Sequence, residues 1–146
     1  GSRKIHVISG GGSGAELFYT LSLHGFTVTA GVLSANDSDA AAASVLGIDT
    51  ILEPPFSAVS EESVARLKEM VKAADAVVVT AMPVGIGNIA NLTALIGCNV
   101  PVYIVGEFED YTGGAAKEAR RKILADGGIC TADSMSLIKK LLPLEQ

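Results

Sequence analysis

The sequence predicts a doubly wound α/β fold, with a single, mainly parallel sheet of five to six strands and helices on both faces. Two observations lead to this prediction. Short apolar runs alternate with segments of helical composition along the whole chain. Several of the runs, such as Val77-Val78-Val79, are continuously apolar, which is typical of parallel strands covered on both faces. Because parallel strands need a crossover, the alternation indicates right-handed strand–helix–strand units of the Rossmann type.

The predicted elements follow one another with no linker, repeat or low-complexity segment between them. We expect strands over residues 4–9, 26–33, 48–52, 76–81, 102–105 and 129–131. We expect helices over residues 15–24, 37–46, 60–74, 88–97, 114–125 and 134–142. Residues 3–146 are therefore predicted to form a single Rossmann-like ligand-binding domain, while the Gly-Ser pair at 1–2 is typical of an expression scar.

Local signals set the ends of several elements. Gly25, Gly47 and Gly127 follow predicted helices at the position where glycine commonly ends one. Ser60 is a good N-cap, and the two glutamates after it suit the positive end of the helix dipole. Pro143 stops the last predicted helix, since proline lacks the N–H group that a helix needs.

Composition excludes several classes of function. Hydrophobic residues make up 49% of the chain, far above a disordered composition, and the net charge of −5 argues against a nucleic-acid partner. The chain shows no signal peptide, and prolines and glycines interrupt the long uncharged stretch over 76–106. We therefore expect a cytoplasmic protein with no membrane insertion. Cys98 and Cys130 lack metal-ligand spacing, so we expect two free thiols and no metal.

The most informative motif is the turn Ser9-Gly10-Gly11-Gly12-Ser13-Gly14-Ala15, between the first predicted strand and helix. It fits the pattern G-x-G-x-x-A through Gly10, Gly12 and Ala15. Bare N–H groups at a helix N-terminus attract anions, so we expect a phosphate-bearing ligand there; the alternative is a tight turn that binds nothing. A nicotinamide cofactor is less favoured, because Leu33-Ser34 stands where an acid would bind the ribose.

Other loops at the same edge of the sheet complete the predicted site. In a doubly wound sheet, ligands bind beyond the carboxyl ends of the strands, where the strand order reverses. The loops after the second, fourth and fifth strands are polar or rich in glycine, unlike those at the opposite edge. The predicted ligand-binding residues are Gly10, Gly11, Gly12, Ser13, Gly14, Ser34, Asn36, Asp37, Ser38, Pro83, Gly85, Gly87, Asn88 and Glu107.

Catalytic motifs are missing from the sequence. It has neither a G-x-S-x-G elbow nor the lysine of a Walker A loop. The carboxylates expected near the crevice, Glu16, Glu107, Glu109 and Asp110, could do acid–base work only if one were buried. The alternative for them is a solvated loop. We therefore predict no catalytic residue and expect this chain alone to bind rather than catalyse.

Six short stretches of sequence give the chain a resemblance to a known family. They are VISGGGSG (7–14), TAGVL (29–33) with NDSD (36–39), EPPFS (53–57), and PVGIGN (83–88) with NL (91–92). In these the chain resembles the C-terminal accessory domain of some archaeal ATP-binding subunits of cobalamin or iron-siderophore ABC importers. The resemblance implies a regulatory domain that senses a nucleotide, phosphorylated metabolite or corrinoid, with the ATPase motifs upstream of this piece.

A looser resemblance is to the Rossmann-like phosphoribohydrolases of the lysine-decarboxylase-like group. Their Pro-Gly-Gly-x-Gly-Thr loop is similar in outline to residues 83–88 of this chain. In those enzymes, the helix that follows the loop carries a catalytic glutamate. Here Val84 stands in place of the glycine that follows the proline, and residues 88–97 contain no glutamate. The departure argues against hydrolase or transferase activity on nucleoside phosphates, although it leaves nucleotide binding open.

The predicted helix over 88–97 carries no charge on any face. Ala90, Ala94 and Gly97 form a small-residue side that another protein surface could approach closely. A homodimer or the parent ATPase domain would fit this side; the alternative is that loops of the same chain cover it. A pure protein-interaction domain, whose glycine loops are only turns, is therefore the third candidate function.

Overall fold

The computed structural model describes residues 3–9, 14–32, 36–52, 61–80, 95–106 and 114–142. These ranges contain the strands β1 (Lys4–Ile8), β2 (Thr27–Val32), β3 (Asp49–Leu52), β4 (Ala76–Thr80), β5 (Val102–Val105) and β6 (Ile129–Thr131). They also contain the helices α1 (Ala15–Leu23), α2 (Ser38–Val45), α3 (Glu61–Lys72), α4 (Gly114–Ala125) and α5 (Ser134–Leu141). Each observed end lies within two residues of its predicted position.

All six strands form one sheet in the order β3-β2-β1-β4-β5-β6, and every neighbouring pair is parallel. Val7 in the middle of β1 pairs with Ala30 on one side and Val78 on the other. The predicted doubly wound, Rossmann-like fold is therefore confirmed. The strand order reverses between β1 and β4, so the carboxyl ends of these two strands bound the crevice in which this fold binds ligands.

Apolar side chains fill both layers between the sheet and its helices. Phe18 and Leu21 of α1 pack with α2 and α5 on one face of the sheet, and both side chains are fully buried. Val71 of α3 and Ile123 of α4 pack with Ile104 on the other face. Such close packing holds the ends of β1 and β4 as a rigid platform.

Both faces of β4 are covered, whereas β2 is open to solvent at its beginning. All five residues of β4 are buried. In β2, Thr27 is exposed and Thr29 is half-buried, while Val28 and Ala30 on the other face are buried. Gly31, on the same face as Thr27 and Thr29, is buried, so the exposure is confined to the beginning of the strand.

Most of the predicted helix over 88–97 lies outside the described residues, and so does the small-residue side proposed for it. Its last residues, 95–97, form a turn. The helix-ending glycines are placed as predicted, since Gly25, Gly47 and Gly127 have φ values of 88°, 71° and 103°. None of the helices in the described ranges has the length and apolar character needed to cross a bilayer.

Candidate ligand site at the carboxyl edge

The structure describes only part of the predicted site. Gly14 directly precedes α1, and Asn36, Asp37 and Ser38 lie where α2 begins. The other predicted residues lie outside the described ranges and stay predictions: Gly10, Gly11, Gly12, Ser13, Ser34, Pro83, Gly85, Gly87, Asn88 and Glu107.

Gly14 is a point of close contact between β1 and α1. A Cβ atom on this residue would lie 2.5 Å from Oγ of Ser9, 2.8 Å from its Cβ and 2.9 Å from Cζ of Phe18. Its backbone φ of −101° is ordinary, so space rather than conformation requires glycine here. The Gly14 carbonyl accepts the Phe18 N–H at 2.9 Å, which starts α1 directly above the end of β1.

A buried carboxylate lies at the N-terminus of α1. Asp39 is 0% exposed, and its Oδ1 and Oδ2 accept the Gly14 N–H at 3.3 and 3.2 Å. A negative charge here compensates the positive end of the α1 dipole. The Gly14 amide, one of the groups predicted to bind an anion, is therefore already paired with an anion that the chain itself supplies.

Asp39 is held in place from the start of α2. Asp37 is the N-cap of that helix, and its Oδ1 accepts the Asp39 N–H at 2.8 Å. Both aspartates thus lie at the start of α2, Asp37 as the N-cap and Asp39 in the first turn. The contact of Asp39 with Gly14 joins residues 25 positions apart, and no local sequence signal indicates it.

Ser9, the residue directly after β1, has an unsatisfied hydroxyl. Its N–H donates to the Gly31 carbonyl at 3.3 Å, which fixes the backbone against β2. The residue is 1% exposed, and its Oγ has no hydrogen-bond partner. Across the reversal point, Oγ1 of the buried Thr80, at the end of β4, donates to the Ile8 carbonyl at 3.5 Å. The Ser9 hydroxyl thus lies buried beside the α1 N-terminus at the place where the strand order reverses.

Carboxylates recur along this edge because the helix N-termini lie there. Oε1 of Glu16, in the first turn of α1, accepts the hydroxyl of Ser134, the first residue of α5. Asp133 is the N-cap of α5, and the hydrogen bond from the Ser136 N–H holds the pKa of its carboxyl below the usual 3.8. The described basic residues in helical last turns lie toward the opposite edge: Lys72, Lys122, Lys139 and Lys140. The described part of the carboxyl edge is therefore acidic.

Two cavities lie at the amino edge of the sheet, away from the reversal point. One, of about 270 Å³, is bounded by the residues before β5 and those after α4, including Cys98 and Asp126. The other, of about 250 Å³, lies beside the first residues of β1, β2 and β3, where Nδ1 of His6 is 2.8 Å from Oγ1 of Thr29. Both cysteines are free thiols, and the described ranges contain no group of side chains suited to hold a metal ion.

Three solved structures share this architecture. The chain aligns with Staphylococcus aureus MnaA in complex with UDP at a TM-score of 0.59 and 16% identity, covering 97% of this chain and 43% of MnaA. It aligns with the TrkA-N domain of the Escherichia coli inner membrane protein ybaL at a TM-score of 0.54 and 12% identity, covering 95% of this chain and 93% of that domain. The alignment with the yeast methylglyoxal/isovaleraldehyde reductase Gre2, complexed with NADPH, has a TM-score of 0.54 and 13% identity. It covers 72% of this chain and 37% of Gre2.

At such low identity these likenesses show the fold alone, and the chain spans less than half the length of MnaA and Gre2. No curated protein matches the sequence. One family model does match, over residues 28–138, a range that begins after the glycine-rich turn and includes most of the sheet and helices. The chain belongs to the MJ0874 family.

Proposed function

We propose that this chain is a nucleotide-binding regulatory domain whose ligand lies at the carboxyl edge of the sheet, between β1 and β4. The observation that carries the proposal is the buried, unsatisfied Oγ of Ser9 beside the N-terminus of α1. Leaving a buried hydroxyl unpaired costs a protein roughly 1–3 kcal/mol, and functional sites are where such costs persist. A ligand at the reversal point would supply the missing partner.

The architecture supports the same ligand class. The MnaA structure holds UDP and the Gre2 structure holds NADPH on the same fold. The glycine-rich turn predicted from the sequence precedes α1, as a nucleotide site on this fold requires. Because the chain spans only part of MnaA and Gre2, their reactions are not part of the proposal.

A regulatory role is favoured over catalysis by the motifs that are missing from the sequence. It has no Walker A lysine, and residues 88–97 have no glutamate to serve a nucleoside-phosphate hydrolase. The resemblance to accessory domains of cobalamin or iron-siderophore ABC importers adds a proposed context, in which an ATPase domain is the partner. A P-loop ATPase segment in the same reading frame would support that context, and a frame without one would contradict it.

A ligand screen tests the proposal. Thermal shift and titration calorimetry would be run on the purified chain with NADPH, UDP, adenosine, AMP and ATP. A ligand at a hundred times its dissociation constant stabilises the fold by about 2.7 kcal/mol, which is an easily measured shift. Gly12→Val, in the predicted turn, should abolish the shift, while Ser22→Ala, exposed on α1, should retain it.

Two results would refute the proposal. One is the failure of all five compounds to bind at millimolar concentration. The other is a clear shift that Gly12→Val leaves unchanged, since the ligand would then lie elsewhere. Steady release of phosphate from ATP or AMP by the wild-type chain would show that it is an enzyme.

A further inference from the structure

The N-terminus of α1 differs from an open phosphate site because it already holds an anion. Both carboxylate oxygens of Asp39 accept the Gly14 N–H, and Asp39 has no exposed surface. An open site would present that N–H to the ligand and leave the dipole of α1 uncompensated. Here a ligand phosphate at Gly14 would have to displace the carboxylate or lie beside it.

The surrounding charges add to this effect. Asp37 is the N-cap of α2, and Glu16 lies in the first turn of α1. The basic residues of the helical last turns lie toward the other edge of the sheet. At short range a like charge disfavours an anion strongly, and a buried carboxylate is screened little by salt.

The Ser9 hydroxyl shows what the site offers instead. It is buried beside Gly14, and its Oγ has no partner within the described part of the chain. A hydroxyl both donates and accepts hydrogen bonds, so it suits a neutral ligand group as well as a phosphate oxygen. The described part of the site therefore has a neutral polar contact available and an anionic contact already occupied.

We infer that Asp39 is a charge-selecting residue that weakens the binding of a polyanion, such as a diphosphate group, at the N-terminus of α1. The inference rests on the proposed function and narrows its ligand class. Asp39 acts by occupying the Gly14 amide and repelling a second anion, so removing its charge relaxes the selection.

Inorganic pyrophosphate is the probe, because it carries the charge of a diphosphate without a base. Its affinity would be measured by calorimetry for wild type, Asp39→Asn and Asp39→Ser. A like charge at close range shifts ionic equilibria by about one to three powers of ten, so both variants should bind pyrophosphate at least about tenfold more tightly than wild type. Asp133→Asn is the matched control, since it removes one charge from the same edge and retains a good N-cap. It should leave the affinity within about twofold of wild type, because an exposed charge farther along the edge is screened by salt.

The outcomes are distinct. Unchanged or weaker pyrophosphate binding by folded Asp39→Asn and Asp39→Ser would overturn the inference, whether or not nucleotides bind the wild type. If neither variant folds, the inference is tested on wild type by following the NMR resonance of the Gly14 amide. It should not move on addition of millimolar pyrophosphate, and a saturable shift would overturn the inference. Tighter pyrophosphate binding by the variants, with no nucleotide bound by wild type, would support the role of Asp39 and refute the proposed function.

Discussion

Replacing Ser9 by alanine separates stability from ligand binding at the centre of the proposed site. The substitution deletes only Oγ, which is buried and has no partner, and it leaves the backbone hydrogen bond to Gly31 in place. In the absence of ligand the variant should therefore be more stable than wild type. Residues kept for binding commonly lower stability in this way.

The expected gain follows from the burial of Ser9, which is 1% exposed. An unpaired buried polar group costs roughly 1–3 kcal/mol, and the small void left by one oxygen offsets part of the gain. We expect the free energy of unfolding to rise by about 1 kcal/mol, which raises Tm by about 2–4 °C for a chain of this size. Affinity for the ligand should fall about fivefold or more, since one hydrogen bond contributes roughly 0.5–1.5 kcal/mol.

Urea unfolding with and without ligand measures both quantities on the same samples. Thr131→Val is the matched control, because Oγ1 of Thr131 is also buried without a partner and lies at the end of β6 rather than after β1. The control should gain stability and retain wild-type affinity. A loss of 1 kcal/mol or more in ligand-free Ser9→Ala would refute the reasoning, because it would show that Oγ is well bonded in the free protein.

Four further predictions concern other parts of the fold. Gly14→Ala should destabilise the chain by about 1–3 kcal/mol through overpacking, measured by urea unfolding, and adding Ser9→Gly should recover part of the loss because two of the three close contacts are to Ser9. Asp133→Ala should lower Tm by a few degrees and Asp133→Asn by less, because alanine removes the N-cap whereas asparagine removes only its charge. Folding lowers the pKa of Asp133, so the stabilisation from its charge is complete above the unfolded pKa of 3.8 and is lost as the pH falls through the folded pKa. The Tm values of wild type and Asp133→Asn should therefore become equal in acid. Glu118→Gln should change Tm little, because the ion pair of Glu118 with Arg121 is solvated; a large loss would contradict this.

Much of the fold could be predicted from the sequence because its signals are local. The strand over 102–105 and the helix over 114–125 have their predicted ends. An apolar run and an alternating helical pattern each specify an element without reference to the rest of the chain.

The site was harder to predict because its decisive contacts are long-range. Gly14 and Asp37 were identified from the glycine-rich turn and from the polar loop after the second strand. The pairing of Asp39 with Gly14 depends on how α2 packs beside α1, and the unsatisfied Oγ of Ser9 depends on the packing of α1 over β1. Neither property follows from residue type or spacing.

The central claim is that a nucleotide-class ligand binds at the carboxyl edge between β1 and β4. The most direct test is an amide NMR titration of the isotope-labelled chain with AMP. Saturable shifts should concentrate at the amide resonances of Ser9, Gly14 and Thr80. The resonances of Asp126 and Gly128, which line the amino-edge cavity before β5, should not shift. Shifts centred on that cavity, or none at millimolar AMP, would contradict the claim.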